Sequence, residues 1–163
     1  MKPFDRRTII SGTLAAAGAY GVLSLSGLFN NANARSGGSF KVTRTPEEWK
    51  RQLGPTRHRI LRLAGTERAF SSPLNKEKRK GVFVCAGCNL GLYGSDAKYD
   101  SGTGWPSFWK RIGTSRDFKI GYPRTEVHCA RCGGHLGHIF NDGPKPTGKR
   151  HCINGLALQF IPG

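Results

Sequence analysis

Brief apolar runs dominate the chain beyond residue 81. Runs of β-branched and aromatic residues alternate there with Gly, Pro, Asn or Asp, a pattern typical of short strands joined by turns. The runs lie at positions 82–84, 112, 118–120, 127, 139–140 and 156–161. The pattern predicts a mainly β fold with an antiparallel core.

The part before residue 81 predicts short helices. Thr45 is a suitable N-cap, Pro46 suits the first helical position, and Glu48 lies three residues after the cap, which completes a capping box. Gly54 and the following proline are predicted to end this helix. The apolar residues 60–63 form either a second short helix or an extended segment.

The first 34 residues have the organisation of an export signal. Arg6 and Arg7 form a twin-arginine pair, and no charged residue follows before Arg35. The stretch is apolar and ends at Ala34 in the A-x-A form of a signal-peptidase site. These features predict a cleaved twin-arginine (Tat) signal peptide over residues 1–34.

This signal sets the expected organisation and location of the chain. We expect residues 35–40 to be a flexible lead-in and residues 41–163 to be one folded domain in the periplasm. The alternative is an uncleaved anchor facing the periplasm, because the uncharged run is long enough to cross a bilayer.

Composition and charge fit a globular domain with a basic surface. Hydrophobic residues make up 37% of the 163 residues, and the formal net charge is +16. Such a charge raises nucleic acids and anionic membranes as partners. Since no single basic stretch dominates, we interpret the charge as a solvated surface. We expect no nucleic-acid partner, and contact with a membrane only during export.

Two C-x-x-C pairs with similar local sequences predict a metal site. Cys85 and Cys88 form the first pair, and Cys129 and Cys132 form the second. Together they supply the four thiolates of a tetrahedral zinc site, and a closed shell of four Cys is typical of structural zinc. Two disulfides or a redox-active pair are the alternatives. The matching pairs favour one structural zinc ion per chain.

The fifth cysteine, Cys152, is a candidate nucleophile. Lys149, Arg150 and His151 precede it directly, and positive neighbours stabilise the thiolate form. The alternative is a small buried apolar residue.

Two other segments add candidate site residues. His135 and His138 lie in a Gly-rich segment, and regular strand alternation would place them on different faces. A bend at Gly137 is therefore expected if both serve one site. Trp105 follows a Gly-rich loop, where it lines a small apolar pocket or belongs to the core.

The ordered set of motifs strongly resembles the B-type methionine sulfoxide reductases, which reduce the R epimer of methionine sulfoxide. The resemblance extends over roughly residues 41–161 and makes that part a methionine-R-sulfoxide reductase domain. It implies two packed antiparallel sheets with short N-terminal helices and a structural zinc away from the active site. The matching segments are 65–67, 70, 72–74, both C-x-x-C pairs, 99–102, 104–108, 126–127, 135–140, 142–144, 147–148 and 150–154.

The resemblance also implies roles for individual residues. Cys152 would attack the sulfoxide sulfur and become a sulfenic acid as methionine leaves. His138, helped by His135, would hydrogen-bond the sulfoxide oxygen and assist its protonation, and Asn154 would orient that network. Trp105 would hold the methyl group of the substrate. Donors placed at an oxygen that gains negative charge stabilise the transition state.

Two positions depart from the family pattern. Thr103 lies where many members have a second cysteine that resolves the sulfenic acid. We therefore expect an external, thioredoxin-like thiol to regenerate Cys152. Gly155 lies where Ser is frequent, and we expect this change to be mild. The substrate is methionine sulfoxide in oxidised proteins or as the free amino acid.

Two non-enzymatic functions are the alternatives to this assignment. One is a zinc-ribbon-like binding module, and the other is a redox-sensing protein. The combination of Cys152 with the His and Trp motifs favours the enzyme.

Overall fold

A computed structural model describes residues 40–112, 120–121 and 125–163. The predicted signal over 1–34 lies outside the described residues, as does the lead-in up to residue 39. Among the described residues we find no helix with the length and apolar character that a bilayer crossing requires.

Helix α1 spans Pro46–Leu63 and is interrupted at Gly54, whose φ of 68° and ψ of 170° are not helical. The capping box is present: the Thr45 hydroxyl accepts from the Glu48 backbone N–H at 3.2 Å, and the Glu48 carboxylate accepts from the Thr45 N–H at 2.8 Å. The expected break is confirmed, and residues 60–63 are helical. The helix ends at Ala64, which has the left-handed conformation common after a last turn.

The described residues contain nine strands, which confirms the mainly β fold. Their bounds are β1 Gly81–Cys85, β2 Gly91–Gly94, β3 Lys98–Tyr99, β4 Ser107–Phe108, β5 Ile120–Gly121, β6 Thr125–His128, β7 His135–Phe140, β8 Arg150–Ile153 and β9 Leu158–Pro162. A three-stranded sheet has the order β2-β1-β9, and a six-stranded sheet has the order β3-β4-β8-β7-β6-β5. Every pairing is antiparallel.

The two sheets pack through buried aromatic rings. Phe108 of β4 stacks on Tyr93 of β2 with ring centroids 4.2 Å apart, and its ring meets Phe83 of β1 edge-on at 5.0 Å. All three side chains are fully buried. Leu61 of α1 approaches the main chain just before β7, so that the helix closes one end of this core.

Several strands differ from the apolar runs. Ile112 lies in a bend, outside any strand, and Phe118 lies outside the described residues. The run at 156–161 forms a strand only from Leu158, because Gly155–Ala157 is a 3-10 turn. Strands β2, β3, β4 and β8 were not apparent from apolar runs, since each is short and mixes apolar with polar or Gly residues.

Candidate active site and metal centre

The four cysteines of the C-x-x-C pairs converge on one point. The Sγ atoms of Cys85 and Cys132 lie 3.7 Å apart, and those of Cys88 and Cys129 lie 3.5 Å apart. A disulfide needs about 2.05 Å, whereas sulfurs bound at about 2.3 Å to one tetrahedral zinc lie about 3.8 Å from each other. The thiols are free, so the geometry fits a four-coordinate metal ion rather than two disulfides.

The two pairs are built on equivalent turns. Cys85 closes β1, and its sulfur accepts from the Gly87 N–H at 3.4 Å. Four residues after the first cysteine of each pair, the chain adopts the left-handed conformation, with φ of 58° at Asn89 and 69° at Gly133. Asn and Gly tolerate that conformation best. Each turn therefore directs both of its sulfurs toward the shared centre.

The thiol cluster needs a cation to lose all its protons. Hydrogen bonds with Cys129 and Cys132 raise the pKa of Cys85, while hydrogen bonds from the same two residues lower the pKa of Cys88. Adding a divalent ion to such a shell releases the remaining protons, so that metal binding and folding are coupled. The cluster could hold a metal ion, and its burial suits a structural role.

Cys152 lies at the centre of the six-stranded sheet, half-buried. In the register of the sheet it is opposite Ser107 of β4 on one side and His138 of β7 on the other. His138 is in turn opposite Glu126 of β6. Because directly opposed side chains point to the same face of a sheet, these four residues share the face that carries the candidate nucleophile.

A β-bulge brings the second histidine to this face. His128 is opposite His135, whereas Val127 is opposite Gly137, so that Leu136 is an extra residue in β7. The extra residue offsets the alternation of side chains. His135 and His138 therefore lie on the same face, with ring centroids 5.4 Å apart.

The expectation of an interruption was correct, but its place was not. The irregularity lies at Leu136, one residue before the predicted bend at Gly137. Gly137 serves another purpose: a Cβ there would lie 2.1 Å from the Cys152 carbonyl oxygen. Its lack of a side chain lets β7 approach β8 closely.

Glu126 connects two histidines on this face. Its Oε1 accepts from Nδ1 of His135 at 2.5 Å and from Nε2 of His128 at 2.8 Å. Burial lowers the pKa of His135, and the carboxylate opposes that effect. Nε2 of His135 is buried and has no hydrogen-bond partner among the described residues. With Nδ1 donating to Glu126, that nitrogen carries a free lone pair.

Glu126 and His128 were not among the predicted site residues. Glu126 was noted only as part of the matching segment 126–127. His128 directly precedes Cys129, and no pattern in the sequence distinguishes it. The one available signal was the scarcity of carboxylates, since Glu126 is one of only 10 acidic residues in a strongly basic chain.

Burial has the largest effect on the Cys152 thiol, whose pKa it raises. The charge of Arg150 and hydrogen bonds with Thr103 and Arg150 act in the opposite direction. Arg150 is held by a bidentate pair with Asp142, at 2.9 and 2.8 Å. Arg150 therefore stabilises the thiolate as expected, while burial has the larger and opposite effect.

His151 cannot assist the thiol. Its side chain points to the opposite face of β8, where its Nδ1 lies 3.2 Å from the Tyr93 hydroxyl. Burial lowers the pKa of His151 to about 4. The imidazole is therefore neutral near pH 7 and adds no positive charge beside Cys152.

Glu67 holds Trp105 in place. The indole Nε1 of Trp105 donates to the Glu67 carbonyl oxygen at 3.2 Å, and the Glu67 carboxylate accepts from the backbone N–H groups of Gly155 and Leu156. Trp105 is partly exposed, and the following Pro106 runs beside β8. The tryptophan is thus fixed at the edge of the Cys152 region, with part of its ring accessible.

Asn154 supports the histidine strand through the main chain. Its Nδ2 donates to the Leu136 carbonyl oxygen at 3.1 Å, and its Oδ1 accepts from the Glu67 N–H at 2.9 Å. Both functional groups of this buried amide therefore bind the backbone. Asn154 thus binds the backbone at the bulge between the two histidines, a contact through which it can orient them.

Comparison with known proteins gives a consistent result. Residues 53–162 match the SelR domain family. The chain is 49% identical over 127 residues to the peptide methionine sulfoxide reductase MsrB of Leptospira interrogans, covering 75% of this chain and 97% of that protein. It is 51% identical over 124 residues to MsrB of Methanosarcina barkeri (73% and 87% covered) and 50% identical over 127 residues to MsrB of Bradyrhizobium diazoefficiens (75% and 91% covered).

Proposed function

Because the chain belongs to the SelR domain family, we infer that it is a peptide methionine sulfoxide reductase that reduces methionine-R-sulfoxide to methionine. The family match extends over residues 53–162, which include every candidate site residue. The reaction consumes a thiol reductant, and the enzyme is an oxidoreductase acting on sulfur. The two non-enzymatic alternatives, a zinc-ribbon-like binding module and a redox sensor, have no comparable support.

The observation that supports this chemistry best is the position of Cys152 opposite His138. We propose that Cys152 is the nucleophile and that His138, with His135 5.4 Å away ring to ring, faces the sulfoxide oxygen. Charge develops on that oxygen as sulfur is attacked, so a donor held rigidly on a strand lowers the barrier. A half-buried thiol remains accessible to a side chain that enters from the same face.

The proposed reaction balances as an oxygen transfer. The sulfur of Cys152 attacks the sulfoxide sulfur, and the sulfoxide oxygen takes up a proton. In the net change the oxygen atom moves to Cys152. The sulfoxide gains two electrons and becomes the thioether of methionine, while Cys152 loses two electrons and becomes a sulfenic acid.

Regeneration requires two external thiols. The first attacks the sulfenic acid, releases water and forms a mixed disulfide with Cys152. The second attacks that disulfide, restores the Cys152 thiol and leaves as part of an external disulfide. Thr103 lies where the family pattern has a resolving cysteine, and its side chain is near enough to Cys152 to lower the pKa of the thiol. A thioredoxin-like protein is the proposed donor.

Selection of the R epimer follows from two unlike surfaces around one sulfur. The ring of Trp105 is proposed to receive the methyl group, and His138 to receive the oxygen. Asn154 is proposed to act as a positioning residue, because its amide fixes the carbonyl between the two histidines. Exchanging methyl and oxygen, as in the S epimer, would place a polar atom on the indole face and leave the donors unpaired.

The tetrathiolate site is proposed to hold one Zn²⁺ ion. Cys85, Cys88, Cys129 and Cys132 would be its ligands, and the ion would supply a stable cross-link between the two turns, without contact to substrate. Sulfur spacings of 3.5 and 3.7 Å support this assignment.

We propose that residues 1–34 export the protein to the periplasm by the twin-arginine route. The support is the Arg6–Arg7 pair, the uncharged stretch and the A-x-A site at Ala34. Amino-terminal sequencing of protein recovered from the periplasmic fraction should begin at Arg35. Full-length protein in the membrane fraction would instead support the anchored alternative.

A turnover assay tests the proposed function. Zinc-loaded enzyme with dithiothreitol should convert a peptide carrying methionine-R-sulfoxide and leave the S epimer unchanged. Cys152→Ser should retain its metal and fold but form no methionine. An enzyme that reduced neither epimer, or the S epimer alone, would refute the proposal.

A further inference from the structure

Glu126, His128 and His135 bring three metal-binding side chains together on the face that carries Cys152. One atom from each, a carboxylate oxygen or an imidazole nitrogen, lies within 4.8 Å of the other two. The two imidazole nitrogens approach the same carboxylate oxygen at 2.5 and 2.8 Å. From this convergence we propose that the three residues form a second metal site, which binds a divalent transition-metal ion such as Zn²⁺.

The sheet register, and not the chain order, creates this site. Glu126 and His128 alternate onto one face of β6, and the bulge at Leu136 places His135 opposite His128 on the same face. The three side chains are therefore held by two paired strands, which limits the entropy lost when a metal orders its ligands.

The donor set indicates the class of ion. Two imidazole nitrogens and one carboxylate oxygen suit Zn²⁺, Co²⁺ or Ni²⁺, whereas Mg²⁺ and Ca²⁺ prefer oxygen ligands alone. Three protein ligands leave at least one coordination position for water or another ligand. In this respect the site differs from the closed tetrathiolate centre.

The distances allow a metal ion with small side-chain movements. Ligand atoms bound at about 2.0–2.1 Å in a tetrahedron lie about 3.3 Å apart. The two nitrogen–oxygen distances must therefore open by only about 0.5–0.8 Å, which rotation of the His128 and Glu126 side chains can supply. His135 is 2% exposed, but His128 and Glu126 are 13% and 22% exposed. An ion can thus reach the ligands from solvent.

Occupation of the site would interfere with reduction, an inference that rests on the proposed function. A metal ion bound to His135 would hold that imidazole, and the ion's charge would lie close to His138, whose ring centroid is 5.4 Å away. His138 faces the position proposed for the sulfoxide oxygen. Micromolar Zn²⁺ is therefore expected to inhibit the enzyme reversibly.

Calorimetric titration tests the site itself. Zn²⁺ is added to protein whose tetrathiolate centre already holds one ion per chain, and metal content is measured before and after. One further equivalent should bind, and His128→Ala should weaken its binding roughly 100-fold or more, because loss of an outer-shell partner alone already costs about 10- to 100-fold. His58→Ala, a histidine of α1 outside the site, should leave binding unchanged. Absence of a second equivalent, or equal binding by His128→Ala, would overturn the proposal.

A second set of variants excludes the neighbouring thiol as the ligand. Cys152→Ser should still bind the second ion. If binding were lost in Cys152→Ser and kept in His128→Ala, the ion would belong to the cysteine and the proposed site would be wrong. Thermal unfolding and tetrathiolate zinc content must match the parent protein. If His128→Ala unfolds, His128→Gln keeps the size of the side chain and serves the same purpose.

Inhibition is measured in single turnovers without reductant, because dithiols chelate zinc. Methionine formation by the parent enzyme should fall about tenfold or more with one added equivalent of Zn²⁺ and recover with a mild chelator. His128→Ala should resist inhibition. Binding of the second ion without inhibition would support the metal site but refute the inference that its occupation slows reduction. An enzyme inactive before zinc is added would refute the proposed function, while the calorimetry would still decide the metal site.

Discussion

His138 lies directly opposite Cys152 in the pairing of β7 with β8. The two residues are 14 positions apart in the chain, yet the sheet holds them as neighbours on one face. The proposed nucleophile and the imidazole proposed to bind the sulfoxide oxygen are thereby fixed by backbone pairing rather than by a flexible loop. This arrangement limits the reorganisation that the site needs when the sulfoxide arrives.

Substitution of His138 and of Trp105 should affect different kinetic constants. His138→Ala should lower kcat about 10²- to 10³-fold, because its hydrogen bond strengthens as charge develops on oxygen. Trp105→Ala should mainly raise KM for the R epimer, because the indole is proposed to contact the substrate methyl group before and during reaction. Steady-state kinetics of both variants, compared with Trp49→Phe in the core, separate the effects. Unchanged kcat in His138→Ala would contradict the assigned role.

The pH dependence of the rate should reflect a raised Cys152 pKa. Burial favours the neutral thiol, so the reactive thiolate is scarce at neutral pH and the rate should rise as pH increases toward and above the ordinary pKa of a cysteine. Arg150→Met removes the charge that opposes this shift. The rising limb should move to still higher pH. Activity at pH 7 should fall about tenfold each time the pKa of Cys152 rises by one further pH unit.

Thiolate absorbance followed through a pH titration measures the same property directly. Lys149→Met removes an equal charge one position earlier in the chain and should change the profile much less. Arg150→Lys should restore part of the activity. An acid-shifted profile in Arg150→Met would show that Arg150 does not stabilise the thiolate.

Loss of one metal ligand should remove both metal and stability. Purified protein should contain about one zinc per chain in the tetrathiolate site. Cys129→Ser should lose that zinc and unfold at a markedly lower Tm, because three thiols without a metal leave a poorly satisfied buried cluster. Cys152→Ser is the matched control and should keep both zinc and Tm. Elemental analysis and calorimetry check these outcomes.

Single turnover without reductant should leave a sulfenic acid on Cys152 and no internal disulfide. The four other cysteines form the tetrathiol cluster that could hold a metal ion, so a dimedone adduct is expected at Cys152 by mass spectrometry. Thr103→Cys is the converse test, because the Thr103 side chain is near enough to Cys152 to lower the pKa of its thiol, and a thiol there could replace the external thiol in the first step. That variant should form a 103–152 disulfide after one turnover. A bridge from Cys152 to a zinc-site cysteine in the parent enzyme would contradict the scheme.

Gly155 is less tolerant than the sequence indicated. A Cβ at this position would lie 1.9 Å from the Ser72 hydroxyl oxygen and 2.6 Å from its Cβ. Gly155→Ser should therefore destabilise the fold by about 1–3 kcal/mol, through overpacking. Adding Ser72→Gly removes the obstructing side chain and should recover much of the loss. Denaturant unfolding of the single and double variants checks this coupling, and additive effects would argue against a direct clash.

The sequence by itself determined those parts of the structure that depend on residues close together in the chain. The Thr45–Glu48 capping box and the break at Gly54 involve neighbours along the chain, and both are present as expected. Each C-x-x-C pair forms a turn from residues within its own segment. The four thiols therefore converge once the two turns face each other. A mainly β fold likewise follows from alternating apolar runs and turn residues.

Tertiary structure decided the arrangement of the site, because pairing between distant strands carries no local signature. The bulge at Leu136 places His135 and His138 on one face, and only the register of β6 with β7 brings Glu126 and His128 to them. The raised pKa of Cys152 also required the fold, since burial outweighs the charge of Arg150 and no count of neighbouring basic residues reveals burial. Contacts that form across a sheet depend on which residues the whole chain leaves buried, and that is settled only when the strands pair.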